Sequence, residues 1–432
     1  MHTFRLKWMR WGLVLLVTIL LSATSLTRSP SAVAQTTPKV GIACTSGIGP
    51  NPTFTLTTHT GYINLPDGNT MFMWGYSAGS AGFQHPGPVL CVNQGDTVTV
   101  VLHNTLSEDV SIVFPGQENV LANGALAQPQ LTGGTLTSMT NVAAANGGSV
   151  TYRFIAANPG TFLYESGTEP QKQVRMGLFG ALIVRPTLGA NFVYNRADSQ
   201  FTPIEEFMVL LSEIDPYQHQ AVENGQVFDM TTYHPRYWLI NGRGYPDSIA
   251  DNFASWLPAQ PYGALAQVKE FDRTAATQDR PGIARYLNVG TEDYPFHPHG
   301  NNGLVVARDG HPLEGPAGED LSFEKFAINI GPGQTWDVLF KWYDAEGYSP
   351  SNPVPVTVPA LADQSIGVFY SGSPYLGTKE ALPPGIQSLN QCGEYYIISH
   401  NHALFQITSW GTNMTGPITY MRIDPPAPNS CG

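Results

Sequence analysis

Short runs of β-branched and aromatic residues, punctuated by Gly and Pro, dominate the chain beyond residue 40. Thr97–Leu102 (TVTVVL) follows the turn signal Gly95-Asp96; Val150–Phe154 and Gly160–Tyr164 alternate; Gly180–Val184 is stopped by Pro186. Runs of this length between turn residues are strand signals, and no 12-residue stretch of this half holds a 3.6-residue apolar period. A second half continues with Phe207–Leu211, Arg236–Ile240, Arg285–Val289, Gly303–Ala307, Trp336–Phe340 and Tyr395–Ile398. Regularly spaced short strands predict an all-β fold of sandwiches or barrels. Residues 343–390, rich in Pro, Gly and Ser, read as long surface connections.

Composition narrows the classes further. Only 12% of residues are charged, about half the roughly 25% of an average protein. With 44 Gly and 35 Pro among 432 residues, this excludes coiled coils and long helical bundles. Twenty Phe, 19 Tyr and 8 Trp exclude disorder. The length suits two domains or one large one, and the stretch after Pro186, about 187–203, is the expected boundary. The domains then run over about 35–190 and 200–432. The formal net charge of −12, with no basic stripe, argues against nucleic acid as partner.

The N-terminus reads as a removable leader. Arg5, Lys7 and Arg10 precede the apolar run Trp11–Leu21, and Ala32-Val33-Ala34 closes the segment, the pattern of a secretory signal peptide over 1–34. Eleven helical residues rise about 16 Å, too short for a membrane core of roughly 30 Å. The expectation is an exported protein, secreted or periplasmic, with no membrane span after cleavage. Cys44, Cys91, Cys392 and Cys431 lie beyond the leader, an even count that suggests two disulfides in an oxidising compartment. Sequence spacing suggests Cys44–Cys91 and Cys392–Cys431, and no C-x-x-C pair supports a zinc ribbon or a redox dithiol.

Two His-x-His triplets carry the sharpest chemical signal: His297-Pro298-His299 and His400-Asn401-His402. Side chains at i and i+2 share one face of a strand, so two adjacent strands would bring four imidazoles together. Neutral imidazole suits copper, zinc, iron or nickel, and copper heads the divalent affinity series. His59, His85, His103, His219, His234 and His311 form no pattern. Gly75-Tyr76-Ser77-Ala78-Gly79 matches the G-x-S-x-G of serine hydrolases, but that motif needs a helix directly after it. The following Ser80–Pro88 contains two prolines and cannot supply one, so the segment reads as a turn.

At these triplets the chain resembles the multicopper oxidases, secreted proteins built of cupredoxin β-sandwiches. Pro86–Leu90 with Asn93–Val98 resembles the family's first-domain opening, and Pro159–Tyr164 through Met176–Val184 its first-domain ending. Tyr294–Gly300 resembles the HPxHLHG segment and Ser399–His402 the HCHxxxH segment. The resemblance implies two cupredoxin-like Greek-key sandwiches, a type 1 copper and a trinuclear copper cluster. By motif matching, the main type 1 positions hold Tyr294, Asn401 and Gln406, with Gly411 at the axial position. First-domain cluster positions hold Val113, Pro115, Glu165 and Gly167, whereas His297, His299, His400 and His402 match second-domain ligands. A phenol and two amides cannot replace imidazole and thiolate at a blue copper.

The expected protein is therefore a secreted relative that binds a transition metal through these four histidines. Mononuclear copper is the leading cofactor, with zinc or no metal as alternatives and Glu165 as a further candidate ligand. Laccase-type oxygen reduction is not expected, and any activity would be that of a copper-dependent oxidoreductase. The alternative is a non-enzymatic extracellular or envelope scaffold that keeps the fold; a working multicopper oxidase ranks third. A homo-oligomer or an extracellular protein partner is left open.

Overall fold

The computed structural model describes residues 38–47, 49–269, 279–342, 395–409, 411 and 414–424. The leader over 1–34, the whole 343–390 connection, Cys392 and Cys431 lie outside the described residues.

Four β-sheets account for nearly all regular structure among these residues. A four-stranded sheet runs in the order 44–46, 89–93, 179–185, 160–165. It faces a six-stranded sheet ordered 70–78, 53–64, 97–103, 149–155, 121–122, 125–126. The same plan recurs from residue 206. A seven-stranded sheet is ordered 237–240, 206–214, 282–288, 335–340, 303–308, 311–312, with 323–325 also on 303–308. Its partner is five-stranded: 266–269, 418–424, 395–401, 294–298, 328–330. Both sandwiches mix parallel and antiparallel pairs, as crossover connections require. Gly75–Ala78, expected as a turn, instead finish the strand Thr70–Ala78, and the turn begins only at Gly79; no helix follows it.

Burial explains why some strands alternate in sequence and others do not. In Ser149–Ile155, Val150, Tyr152 and Phe154 enter the first core and the residues between them reach solvent. Gly160–Glu165, Phe179–Arg185 and Glu206–Ile214 are buried almost throughout. Phe162, Tyr164, Leu182 and Val184 face the first core, while Leu163, Ala181 and Ile183 face the other way. There they meet Met208, Leu210 and Leu287 of the seven-stranded sheet, whose Phe207, Val209 and Leu211 enter the second core. Two sheets are thus covered on both faces, which demands continuous apolar runs such as GALIV and FMVLL. Cys44 and Cys91 form a disulfide with sulfurs 2.00 Å apart, tying neighbouring strands of the first sandwich.

The buried joint also contains ions. Arg285, 1% exposed, donates from Nε to Glu206 Oε1 at 2.5 Å and from Nη1 to Asp337 Oδ1 at 3.1 Å and Thr161 Oγ1 at 2.8 Å. Arg185 donates to both Glu206 oxygens at 2.6 and 2.7 Å, and Tyr194 OH reaches Asp337 Oδ2 at 2.8 Å. Burial alone would raise the Glu206 carboxyl, but the Arg285 and Arg185 guanidiniums outweigh it and hold it below the ordinary carboxylate range. Among the described residues, no helix is long and apolar enough to cross a membrane.

Removing one partner of a buried ion network strands the others. Arg285→Leu is expected to lower the unfolding free energy by about 3–5 kcal/mol at pH 7, read from urea denaturation. A loss under about 1 kcal/mol would show that the joint does not depend on this network. Because the folded Glu206 value is depressed, its contribution is complete above the unfolded value of about 4.3 and disappears as pH falls through the lower folded value.

Candidate metal centre

The strand Tyr294–Pro298 carries the first two residues of one triplet and Tyr395–Asn401 those of the other, with His299 and His402 just beyond the strand ends; the two strands pair antiparallel. Their register sets His297 directly opposite His400 and Pro298 opposite Ser399. His299 N donates to Ile398 O at 3.0 Å, and His402 N donates to Pro295 O at 2.8 Å, so both triplets are anchored across the pair. Tyr294 and Phe296 point into the second core, which leaves the imidazoles on the opposite, outer face. His297, His299 and His400 are half-buried and His402 is exposed.

All four rings gather there. Centroids are 4.6 Å apart for His297–His299, 5.0 Å for His299–His400 and 5.4 Å for His297–His402. His400–His402 and His297–His400 lie at 5.5 and 5.7 Å. His297 Nδ1 lies 2.7 Å from Phe326 O, and His400 Nδ1 lies 2.7 Å from Asn401 O. Carbonyls accept only, so these contacts assign the protons to Nδ1 and leave Nε2 of both rings with a lone pair. His299 Nε2 then donates to His400 Nε2 at 3.0 Å.

That separation is near the roughly 3.3 Å between nitrogens on one tetrahedral ion with bonds of 2.0–2.1 Å. The donor chemistry therefore fits a borderline transition metal. The arrangement is gathered but not closed: among the described residues, no three His, Cys, Asp or Glu groups stand ready to hold a metal ion. Closing it requires ring rotations and replacement of the His299–His400 hydrogen bond.

Electrostatics favour the neutral rings that metals need. Burial, then the neighbouring His400, His297 and His402, pushes the His299 imidazole down to about 4. Burial also lowers His400, outweighing the Asn401 carbonyl, which acts in the opposite direction.

The remaining residues singled out from sequence fall in three places. Asn401 and Gln406 are buried and in contact, the Asn401 amide donating to Gln406 Oε1. Tyr294, also buried, donates to Glu213 Oε2 at 2.6 Å, while Gly411 lies in an exposed turn. Val113 and Glu165 form a bridge in the first sandwich. Burial pushes the Glu165 carboxyl up to about 7; it ends a strand of the four-stranded sheet, whereas the imidazoles lie on the five-stranded sheet of the second sandwich. No sequence pattern singled out Glu213, which receives Tyr294, or Glu292, which receives both Gln406 and Trp238. Nor did any single out His85 and His219, which are buried and pushed down to about 3 and about 4 by that burial.

The multicopper oxidase family model matches residues 80–188. The chain is 33% identical over 292 residues to an L-ascorbate oxidase of Cucurbita maxima, covering 63% of this chain and 43% of that protein. It is 26% identical over 290 residues to a putative laccase-11 of Oryza sativa subsp. japonica, covering 66% and 46%. The chain is a relative of the multicopper oxidases. It matches less than half the length of these two curated proteins. Among solved structures, the multicopper oxidase mgLAC aligns with a TM-score of 0.56 at 19% identity, covering 86% of each chain. A blue copper oxidase from Nitrosomonas europaea aligns with a TM-score of 0.54 at 18% identity, over 86% and 85%. These likenesses establish the cupredoxin fold of this multicopper oxidase relative.

In the metal-free protein the His299 ring should stay neutral until pH falls towards about 4. Its contribution to stability is complete above the unfolded value of about 6.5 and is lost as pH falls through the lower folded value. An imidazole NMR titration with a His299 midpoint near 6.5 would contradict this.

Proposed function

We propose that this relative binds a single copper ion through His297, His299, His400 and His402 and does not perform laccase-type oxygen reduction. The register that sets His297 against His400 is the observation that carries the reading, because it gathers two triplets far apart in sequence on one accessible face. Copper is favoured over zinc by the affinity order for nitrogen ligands. When bound, copper would supply a one-electron centre. His297 and His400 would present Nε2, their Nδ1–H groups held by the Phe326 and Asn401 carbonyls, and partial burial keeps His299 and His400 unprotonated.

The limit on activity comes from the positions implied by the resemblance. Tyr294, Asn401 and Gln406 offer no thiolate or imidazole for a type 1 copper, and Val113, Pro115, Glu165 and Gly167 offer no imidazole for the first half of a trinuclear cluster. Four imidazoles cannot hold three copper ions. We further propose the domain limits 35–190 and 200–432 with a linker over 187–203, and export by the 1–34 leader. The gap between strands Phe179–Arg185 and Glu206–Ile214 supports that division.

Copper loading, desalting and metal analysis by mass spectrometry test the reading. About one copper per chain is expected, lost in a His297→Ala/His400→Ala variant. Three or more coppers with intense blue absorption would restore a working oxidase. Absence of metal from both proteins would favour the scaffold reading, in which the fold is kept for its surface.

A further inference from the structure

We propose that Gln406 is the positioning residue of the four-imidazole site, bridging the two strands that bear the histidines. The proposal rests on the metal-binding reading above. Backbone pairing fixes only part of this geometry. The ladder between the strands ends with Phe296 opposite Asn401, so His402 lies beyond its last pair and is held there by one backbone bond. Asn401 separates His400 from His402 and, by strand alternation, turns its side chain into the interior, where it is 0% exposed.

There the amide joins a chain of hydrogen bonds. Asn401 Nδ2 donates to Gln406 Oε1, and Gln406 Nε2 donates to Glu292 Oε2 at 2.7 Å and to Asp293 O at 3.4 Å. Trp238 Nε1 donates to the same Glu292 oxygen at 2.8 Å. Glu292 and Asp293 immediately precede the Tyr294–Pro298 strand, and Asn401 ends its neighbour. Gln406 therefore clamps the beginning of one ligand strand to the end of the other.

The direction of every bond in the clamp is determined. A carboxylate oxygen receiving Trp238 N–H accepts, so Gln406 must offer it an N–H and keep its own carbonyl for Asn401. The chain has no slack for a side chain that lacks either function. Loss of the Gln406 amide would leave a buried Asn401 donor unpaired and release the side-chain tie that, among the described residues, joins residue 401 to the other strand end. Supporting residues of this kind typically change metal affinity by about 10–100-fold.

Gln406→Met tests the clamp in two forms of the full chain. With copper, affinity should fall about 10-fold or more, with an altered Cu(II) electron paramagnetic resonance spectrum. Without metal, the imidazole NMR shifts of His299 and His400 should move as their 3.0 Å contact loosens. The shared acceptor supplies a second comparison: Glu292→Gln keeps one carbonyl oxygen for both Trp238 N–H and Gln406 N–H, whereas Glu292→Met keeps none. Glu292→Gln should hold affinity and spectrum near the parent, and Glu292→Met should weaken copper about as much as Gln406→Met. This comparison carries the test even where Gln406→Met fails to fold. Unchanged affinity, copper spectrum and imidazole shifts in folded Gln406→Met, or a Glu292→Gln no better than Glu292→Met, would overturn the proposal. A parent that binds no copper, while its imidazole shifts respond to Gln406→Met and stay near the parent in Glu292→Gln, would remove the metal reading and keep the positioning role.

Discussion

The layer shared by the two sandwiches decides what the rest of the molecule can do. Leu163, Ala181 and Ile183 on one side and Met208, Leu210 and Leu287 on the other bury two sheets on both faces. Within that apolar layer, Arg285, Glu206, Asp337 and Thr161 exchange charge-assisted hydrogen bonds across the joint. Dispersion and hydrophobic burial bring the sheets together without direction, whereas ions in a low-dielectric layer tolerate only geometries in which each donor meets its acceptor. The joint is thus both adhesive and oriented. It consumes the outer face of the seven-stranded sheet, whereas the outer face of the five-stranded sheet is covered only in part, by Tyr245 and Ile407 against Ile398 and Ile418, and opens at the histidines.

The histidines use this open part of the face through an ordinary property of strands. Phe296 pins the strand to the second core, so His297 must point outwards, and pairing with Tyr395–Asn401 brings His400 opposite. The same alternation drives Asn401 inwards between two outward imidazoles. A polar amide at such a position is costly unless its hydrogen-bonding groups are met, and the Gln406–Glu292–Trp238 chain meets its donor.

Legibility from sequence followed interaction range. Strands with one wet face show the two-residue period, and doubly covered strands show unbroken apolar runs; both patterns are local. The shared direction of His297 and His299 is equally local. Their pairing with His400 and His402, over a hundred residues away, became readable because identical triplets imply a common site and because the flanking motifs resemble a known family. Local pattern could not reveal that Glu292 would receive both Trp238 and Gln406, since neither pairing has a sequence period. The helices Pro170–Met176 and Pro216–Glu223 also escaped, because two turns are too short to establish a 3.6-residue pattern. Glu165 shows another limit: its motif position suggested a metal role, and the fold places it on a sheet of the first sandwich while the imidazoles lie on a sheet of the second.

On the proposed reading, Tyr294, Asn401 and Gln406, at the positions where the family resemblance implies a type 1 copper, would keep the fold while its chemistry changes. A metal ion crosslinks separate segments by bonding to several at once. Hydrogen bonds can provide the same mechanical connection if every buried donor has an acceptor. Here Gln406 joins Asn401 to Glu292, and Glu213 receives Tyr294 OH together with the Thr291 N–H at 2.5 Å and its hydroxyl at 2.7 Å. The two groups of bonds hold the same strand beginning, Thr291–Tyr294, from opposite partners. Such a network has no electron to give or accept, but it can preserve the alignment of neighbouring strands. On the reading proposed above, the outer histidines stay gathered because the adjoining interior is crosslinked by directional hydrogen bonds rather than by apolar packing, which would fill the space without fixing the register.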